Sequence, residues 1–355
     1  MSEEVIIIGG GLAGLTAAYA LKKQGIKALI LESNNRLGGR IYTKSNDNQQ
    51  FELGATWVFQ DLMLNQLIKE LRLELYPQFL KGEALVKYDP SMAIQRRSTA
   101  ALMNGAIYHK VKGGTGAIIQ ALADQLDTGC ILLNKKVVDL VYENDGIHLI
   151  MDDGTVMKGA KVIITVPPKV IAEQIKIKPQ LNNYPLMQST HTWMGESTKF
   201  TVLLDQDYWR TNNLSGFVFS NYGLIREMQD HITDDGQSFG LLGFLQPTEE
   251  LVDDFEGRKQ AVIDELIVLF DIDEENVLAY DDFLWGEYFV GGNQKNYNAG
   301  LMPHQNNGDA SYLQSHFDHH LYFAGAETSH TNPGYMEGAV SSAYRAVKLL
   351  MRSWE

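Results

Sequence analysis

The first forty residues constrain the fold of this chain more than any other stretch. A four-residue apolar run at residues 5–8 is followed at once by a glycine-rich turn and then by a longer run that stops at Gly25. This order predicts a buried strand, a tight turn and a helix that ends at a glycine. A second apolar run at residues 28–31 predicts another strand, which leads directly into Glu32. The segment therefore predicts a strand–turn–helix–strand unit of an α/β fold.

The glycines of this turn fit the dinucleotide-binding pattern G-x-G-x-x-G at Gly9, Gly11 and Gly14. Gly9 allows the tight turn, Gly11 lets a pyrophosphate approach the backbone, and Gly14 lets the helix pack on the strand. The helix N-terminus supplies free N–H groups and a partial positive charge. Glu32 is at the spacing expected for a carboxylate that binds a ribose hydroxyl, which disfavours NADP. The pattern predicts a dinucleotide site and leaves NAD and FAD open.

Further motifs narrow this choice. Residues 32–40 read E-x-x-x-R-x-G-G-R, in which Arg36 and Arg40 could meet a diphosphate a second time. Residues 52–57 read E-L-G-A-T-W. Here the chain resembles the flavin-containing amine oxidase family, which includes monoamine, polyamine and spermine oxidases, L-amino-acid oxidases and histone lysine demethylases. The run at 52–57 is most similar to the polyamine and spermine oxidase version.

The C-terminal part carries the same resemblance. Residues 323–328 read F-A-G-A-E-T and residues 334–339 read G-Y-M-E-G-A, both similar to motifs of the family. The resemblance implies non-covalent FAD, since Asn293 stands where monoamine oxidases carry the cysteine that binds flavin. It implies that FAD is held by Gly9, Gly11, Gly14, Glu32, Arg36, Gly39, Arg40, Gly54, Ala55, Thr56, Val137, Gly325, Glu327, Thr328, Tyr335 and Met336. The helix that starts near Met336 is expected to direct its N-terminus at the flavin edge where negative charge accumulates.

Three residues are candidates for the catalytic site. Strand alternation places Lys199 on one face with Thr201 and Leu203, where spacing alone also allows a solvated lysine. The resemblance implies that Lys199 lies near flavin N5, tied to it through water. It also implies that Tyr335 forms one wall of an aromatic cage. The second wall position reads Gln294 instead of an aromatic residue, which favours a substrate with a second polar group near the reacting carbon.

The remaining pattern predicts two domains. Aspartate–glycine turns at 145–146 and 153–154 predict a three-stranded antiparallel meander over residues 136–166, as in FAD domains of the glutathione-reductase type. The predicted fold class is α/β, a Rossmann-type FAD-binding domain with an inserted α+β substrate domain. The FAD-binding domain takes residues 1–57, 111–175 and 286–355, and the substrate domain takes 58–110 and 176–285. Strands are expected at 200–204, 216–219, 239–245, 283–288 and 321–324, and helices at 62–75, 115–126 (with Thr115 as N-cap), 258–270 and 336–351.

Composition bounds the partners. The 355 residues carry a net charge of −14, which disfavours nucleic acid and anionic membranes and favours cationic substrates. The single cysteine, Cys130, excludes an intrachain disulfide and a cysteine-based metal site. The histidines at 316, 319 and 320 are interpreted as part of a polar turn, not as metal ligands. We expect a cytoplasmic protein without signal peptide or membrane anchor, and the oligomeric state stays open.

The predicted function is that of an FAD-dependent amine oxidase. The resemblance implies hydride transfer from an amine C–H to flavin N5, hydrolysis of the imine to an aldehyde and ammonia or an amine, and reoxidation by O₂ to give H₂O₂. Two alternatives stay open. One is a desaturase or protoporphyrinogen-type oxidase of the same fold, against which Lys199 and Tyr335 count. The other is a non-catalytic flavin-binding redox partner, suggested by the missing cage aromatic.

Overall fold

The chain alternates between two large β-sheets. The computed structural model describes residues 2–46, 49–143, 146–290 and 300–354. The strands are β1 (Ser2–Ile8), β2 (Ala28–Leu31), β3 (Thr43–Asn46), β4 (Gln49–Glu52), β5 (Leu75–Pro77), β6 (Glu83–Lys87), β7 (Gln95–Ser98), β8 (His109–Val111), β9 (Ile131–Leu132), β10 (Val137–Glu143), β11 (Gly146–Met151), β12 (Val156–Ile164), β13 (Lys176–Lys178), β14 (Thr198–Leu204), β15 (Leu214–Ser220), β16 (Ile225–Asp230), β17 (Phe239–Leu245), β18 (Val277–Leu284), β19 (Ser315–His316) and β20 (Leu321–Phe323). The α-helices are α1 (Leu12–Lys23), α2 (Leu62–Glu70), α3 (Thr99–Leu102), α4 (Gly116–Asp124), α5 (Pro168–Gln174), α6 (Tyr184–Gln188), α7 (Tyr208–Thr211), α8 (Glu249–Val252), α9 (Phe255–Phe270), α10 (Trp285–Val290) and α11 (Met336–Arg352).

The first sheet contains the predicted N-terminal strand–turn–helix–strand unit. Its strand order is β13-β10-β11-β12-β1-β2-β9, and β20 pairs in parallel with β12. Strand β1 pairs in parallel with both β2 and β12, and its apolar residues are buried on both faces. Val5 and Ile7 pack with helices α1, α4 and α11, whereas Ile6 and Ile8 pack with the β10–β11–β12 meander. The α/β class, the Rossmann-type unit and the predicted meander are confirmed.

The second sheet is antiparallel in most of its pairings. Its order is β18-β14-β17-β16-β15-β6-β7, with β6 and β15 parallel. Helix α9 covers one face, and its Val262 and Leu266 pack on Phe200 and Val202 of β14 in a separate core. Every residue of β14 is buried, so this strand has no solvated face.

Several predicted elements differ in detail. Residues 283–288 were expected as a strand, but β18 ends at Leu284 and helix α10 follows. Strand β16 was not predicted at all. Thr115 precedes α4 as predicted, but its side chain makes no capping bond, because the hydroxyl bonds to Glu52 and the Ala55 carbonyl instead.

The domain boundaries stay a prediction, and two elements bear on them. Helix α2 was assigned to the substrate domain, yet Leu64 and Leu67 pack in the same core as α1 and α11. Glu337, in the first turn of α11, accepts N–H bonds from Met63 at 3.1 Å and Leu64 at 2.7 Å, which fixes the start of α2. Strand β13 pairs with β10 of the first sheet. Both elements therefore lie with the first sheet.

The stability of the second sheet is expected to depend on a buried ion pair. Arg258 of α9 donates to Asp282 of β18 at 2.7 and 3.0 Å, and both side chains are almost fully buried. Arg258→Met leaves the Asp282 carboxylate buried without its cation, so we expect the free energy of unfolding to fall by about 3–5 kcal/mol. Denaturant unfolding measures this change.

The neighbouring Lys259→Met is the matched control. Lys259 forms an exposed pair with Glu256 at 3.5 Å, and its loss should change the free energy of unfolding by less than about 0.5 kcal/mol. If both substitutions changed the free energy of unfolding equally, the buried Arg258–Asp282 pair would not be important for the stability of the second sheet.

Candidate functional site

A cavity of about 1010 Å³ lies between the two sheets. Its size is at the upper end of ligand pockets, as a dinucleotide together with a substrate requires. Most of the predicted site residues line it, although they come from distant parts of the chain. These are Gly9, Gly11, Glu32, Gly39, Arg40, Gly54, Ala55, Thr56, Val137, Lys199, Gly325, Tyr335 and Met336.

Gly9 and Gly14, in the glycine turn at one end of the cavity, leave no space for a side chain. Gly9 has a φ of +107°, and a Cβ on it would lie 2.6 Å from the Thr165 hydroxyl oxygen. A Cβ on Gly14 would lie 1.9 Å from the Gly9 carbonyl oxygen. Gly11 caps α1 with extended backbone and no side-chain bond. The first-turn N–H groups of α1 are therefore placed at the cavity without a side-chain cap, as a phosphate site requires.

Glu32 is oriented by four hydrogen bonds, of which the longest comes from the Ser33 hydroxyl at 3.3 Å. One carboxylate oxygen accepts the Gly10 N–H at 2.7 Å, and the other accepts the Asn34 N–H at 2.9 Å and the Asn34 amide at 2.7 Å. The side chain is buried at the end of β2 and lines the cavity. The predicted ribose-binding carboxylate is therefore beside the glycine turn, as the spacing in the sequence implies.

Four predicted cofactor residues lie behind the cavity wall in the described structure. They are Gly14, Arg36, Glu327 and Thr328. Arg36, expected to meet a diphosphate, donates instead to the Gly39 carbonyl at 2.8 Å and stacks 4.3 Å from the Tyr42 ring. Its guanidinium stabilises its own loop.

Glu327 supports the wall from behind. This carboxylate is fully buried and forms a bidentate pair with Arg40, whose second contact is 2.8 Å long. It also accepts the Trp193 N–H at 3.2 Å. Thr328 donates to the Gly325 carbonyl at 2.9 Å. Glu327 and Thr328 thus hold the backbone and the arginine that face the cavity.

Tyr335 belongs to an aromatic stack. Its ring lies 5.4 Å from the His304 ring, which in turn stacks 4.4 Å from the Trp193 ring. Gly334 has a φ of +87°, and a Cβ there would lie 2.8 Å from the His304 ring, so glycine is needed for this contact. Trp193 and His304 were not predicted, and no sequence motif indicates them.

The second wall expected opposite Tyr335 stays a prediction. Gln294 and Asn293 lie outside the described residues. Trp285 is fully buried and donates to the Leu53 carbonyl at 2.8 Å, as a core residue does. Tyr288 lines the cavity near Glu32, and its hydroxyl oxygen accepts a hydrogen bond from the Asn34 side-chain amide at 3.3 Å.

Lys199 is fully buried on the cavity wall, so the solvated-face alternative is wrong. Its ammonium donates to the Gly54 carbonyl and the Thr56 hydroxyl and lies 5.0 Å from the Trp57 ring. Burial lowers the pKa of Lys199 to about 8, a shift that negative charge on Glu52 or Glu227 opposes. The side chain can therefore change its charge close to neutral pH.

Sequence reasoning also missed a polar row on the second sheet. Lys199 on β14 pairs with Phe244 on β17, and Phe244 pairs with Glu227 on β16. Gln229, two residues along β16, also lines the cavity. The alternation of Glu227 and Gln229 would have been a signal only if residues 225–230 had first been identified as a strand.

Comparison with known proteins decides the family. The model of the family described as flavin containing amine oxidoreductase matches residues 82–351, and an NAD(P)-binding Rossmann-like domain model matches residues 7–71. The chain belongs to the flavin-containing amine oxidoreductase family. Its resemblance to that family in sequence motifs is thereby confirmed, and the enzyme is an FAD-dependent oxidoreductase that acts on amines.

Individual relatives of this amine oxidase are distant but cover most of its length. A probable flavin-containing monoamine oxidase A of Dictyostelium discoideum is 20% identical over 97% of this chain and 96% of its own. A putrescine oxidase of Kocuria rosea is 21% identical over 75% of this chain and 78% of its own. Solved structures of putrescine oxidase with bound putrescine (TM-score 0.82) and of cyclohexylamine oxidase from Brevibacterium oxydans (0.83) each have 18% identity and 99% coverage of both chains. These structures share the fold.

The described residues of this amine oxidase fit its cofactor, FAD. The side-chain-free turn, the uncapped start of α1 and the oriented Glu32 suit a dinucleotide, and non-covalent binding is consistent with the family. Across the described residues, no helix is long and apolar enough to cross a bilayer. Nor do these residues contain a group of three histidine, cysteine or acidic side chains placed to hold a metal ion.

The buried Arg40–Glu327 pair is expected to support FAD binding. Glu327→Gln removes the negative charge behind Arg40. We expect the free energy of FAD binding to weaken by about 1.5–3 kcal/mol. This change corresponds to an increase of about ten- to a hundredfold in the Kd for FAD. Titration of FAD into the apoprotein measures it. Glu70→Gln makes the same chemical change at an exposed pair with Lys23 and should leave the Kd unchanged. An unaltered Kd in Glu327→Gln would contradict this role.

Proposed function

We propose that this enzyme oxidises a small amine that carries a second cationic group, and that Glu227 binds that second group. FAD, when bound, supplies the acceptor for the hydride that leaves the carbon next to the reacting nitrogen. The residues of the chain position and orient the substrate. Glu227 carries the proposal, because it places a carboxylate in the same cavity as Lys199 and Tyr335.

The position of Glu227 follows from strand register. Lys199, Phe244 and Glu227 form one row across three neighbouring strands and all line the cavity. Neighbouring strands lie about 4.8 Å apart, so the backbones of Lys199 and Glu227 are separated by about 10 Å. The ring of Phe244 between them offers an apolar surface to the chain that links two amino groups.

The orientation of Glu227 is fixed by its neighbours. The Tyr108 hydroxyl donates to the Gln229 amide oxygen at 2.7 Å, so the Gln229 amide nitrogen is directed to Glu227, whose Oε1 accepts it at 2.9 Å. Within the described residues, no donor reaches the second carboxylate oxygen, Oε2. That oxygen is suited to an ammonium group, and the net charge of −14 favours the approach of a cation.

The two ends of the row differ in charge, and this difference orients a diamine. A protonated Lys199 repels a second cation, so it lowers the pKa of an amine held beside it and favours the neutral form. Glu227 favours the charged form at the other end. A neutral nitrogen retains the lone pair that assists loss of hydride from the adjacent carbon. The reacting end of the substrate is therefore at Lys199, between the lysine and the Tyr335 ring.

The cofactor contacts expected from the sequence are part of the same proposal. We infer that Gly9 and Gly11 approach the diphosphate, that Glu32 binds a ribose, and that the α11 N-terminus at Met336 faces the flavin. The geometry of the glycine turn and of Glu32 supports the first two assignments. We also propose that O₂ is the acceptor that reoxidises FAD. The proposed location of the enzyme is the cytoplasm, and cell fractionation tests it.

Glu227→Gln tests the substrate class directly. The amide keeps the shape but loses the charge, so the KM for putrescine should rise about ten- to a hundredfold. The KM for butylamine, which has the same chain length and one amine, should stay unchanged. Steady-state peroxide release measures both. Glu173→Gln, a second carboxylate on the cavity wall, is the control and should affect neither substrate. An equal effect on putrescine and butylamine would refute the role of Glu227.

Lys199→Met tests the other end of the row. The variant should retain FAD, because the methionine fills the same space, and its reduction by amine should slow only modestly, to the extent that the bound amine stays protonated without the charge of Lys199. Reaction of the reduced enzyme with O₂ should slow much more, because a buried positive charge stabilises negative charge that develops on oxygen. Stopped-flow absorbance separates the two half-reactions. If the rate of reoxidation does not change, Lys199 has a structural role only.

A further inference from the structure

Glu52 opens the motif at residues 52–57, and the proposed function makes no use of its side chain. It is about 1% exposed and lies at the end of β4, directly behind the cavity wall. A Cβ on Gly114 would lie 2.4 Å from the Glu52 Oε1, so only a glycine lets this turn close over the carboxyl group. Burial of an ionised carboxylate is costly, so the protonation state of Glu52 matters for the stability of this site.

The hydrogen bonds around Glu52 show whether its carboxyl group carries a proton. The Thr115 hydroxyl oxygen lies 2.7 Å from the Ala55 carbonyl oxygen and 2.8 Å from the Glu52 Oε2. Both are oxygen–oxygen contacts of hydrogen-bond length, so each needs a hydrogen between its two atoms. The Thr115 hydroxyl has one hydrogen and the Ala55 carbonyl has none. The second hydrogen must therefore come from Glu52.

The other side of the carboxyl group agrees with this count. The Gly116 N–H donates to the Thr43 hydroxyl oxygen at 2.8 Å, and the Thr43 hydroxyl then donates to the Glu52 Oε1. Oε1 is thus the carbonyl oxygen of an acid, and Oε2 carries the proton that is donated to Thr115. An ionised Glu52 would take the Thr115 proton and leave two oxygens, those of Thr115 and Ala55, in contact at 2.7 Å without a hydrogen.

We propose that Glu52 is held as a neutral carboxylic acid and acts as a positioning residue that leaves Lys199 without an ion-pair partner. The backbone of Glu52 is bonded to Thr201, on the same face of β14 as Lys199, at 3.1 and 3.2 Å. The Lys199 ammonium uses Gly54 and Thr56, and in the described part of the chain it forms no ion pair. An unpaired, buried lysine releases its proton more easily than one beside a carboxylate.

Other ionisable groups face this site. Lys110 on β8 and Tyr76 on β5 interact electrostatically with Glu52, and Lys110 lies 3.9 Å from Asp230. His231 is fully buried near Lys110 and Lys199, and burial lowers its pKa well below the usual value, so it adds no charge. Burial also raises the pKa of Glu52, although the hydrogen bond from Thr43, the charge of Lys199 and the hydrogen bonds with the Thr115 side chain and backbone all oppose this direction. These directions agree with the hydrogen count.

Glu52→Gln is the direct test, because the amide copies the shape and the donor–acceptor pattern of the neutral acid. The inference rests on the proposed role of Lys199. The readout is therefore the rate at which O₂ reoxidises the reduced holoenzyme, measured as a function of pH. This rate should fall as Lys199 loses its charge, and the pH at the midpoint of the fall is compared between variants. This midpoint should stay within about half a unit of wild type. If Glu52 were ionised, removing its charge would lower the midpoint by about one unit or more, and that result would overturn the proposal.

One further variant calibrates the midpoint, and an infrared measurement makes the test independent of Lys199 and of the substrate. Glu227→Gln removes a carboxylate that raises the pKa of Lys199, so it should lower the midpoint and set the scale of a lost charge. The infrared difference between wild-type holoenzyme and Glu52→Gln near neutral pH should contain the C=O band of a protonated carboxyl group. Loss of carboxylate bands in its place would overturn the proposal, whatever the outcome of the putrescine comparison.

Discussion

The contact between residues 52–56 and strand β14 is the interaction on which the site depends. Thr201 bonds both backbone groups of Glu52, and Lys199 bonds the Gly54 carbonyl and the Thr56 hydroxyl. Trp285 adds a bond to the Leu53 carbonyl. Residues that follow β4 are thereby joined to an interior strand of the second sheet. The cavity between the sheets exists because this contact fixes one of its walls.

The same contact explains how a lysine can be buried without a carboxylate bonded to it. The carbonyl and hydroxyl oxygens of the segment replace part of the water that the ammonium loses, and the rings of Trp57 and Phe244 lie about it at 5.0 and 5.6 Å. This environment compensates for burial only in part, since the pKa of Lys199 still falls to about 8. A side chain that gains and loses charge near neutral pH suits a site where protons and hydride leave one substrate.

The sequence was sufficient where the physics is local. The turn at Gly9, Gly11 and Gly14 and its partner Glu32 could be predicted because strand, turn and helix are consecutive and each glycine has its own steric reason. The motifs around Gly325 and Met336 were found in the same way. Lys199 was a candidate, but its spacing alone allowed a solvated face. Only the pairing of β14 with strands on both sides and the burial of both its faces decide that Lys199 is buried.

Residues that depend on distant pairing could not be predicted. Glu227 faces the cavity only because β16 pairs with β17 in a register that no local pattern specifies. Trp193 meets Tyr335 across more than a hundred residues of chain, and His304 meets both rings from a third segment. The local context of Thr115 predicts a helix cap, but its hydroxyl forms a hydrogen bond with a glutamate 63 residues away instead.

The central claim is that a substrate spans the row from Lys199 to Glu227. A crystal structure of the FAD-loaded enzyme, reduced and then soaked with putrescine without oxygen, tests it most directly. The account predicts one nitrogen within about 3 Å of the Glu227 carboxylate and the other beside Lys199 and the Tyr335 ring. A diamine bound with neither nitrogen at Glu227 would contradict it.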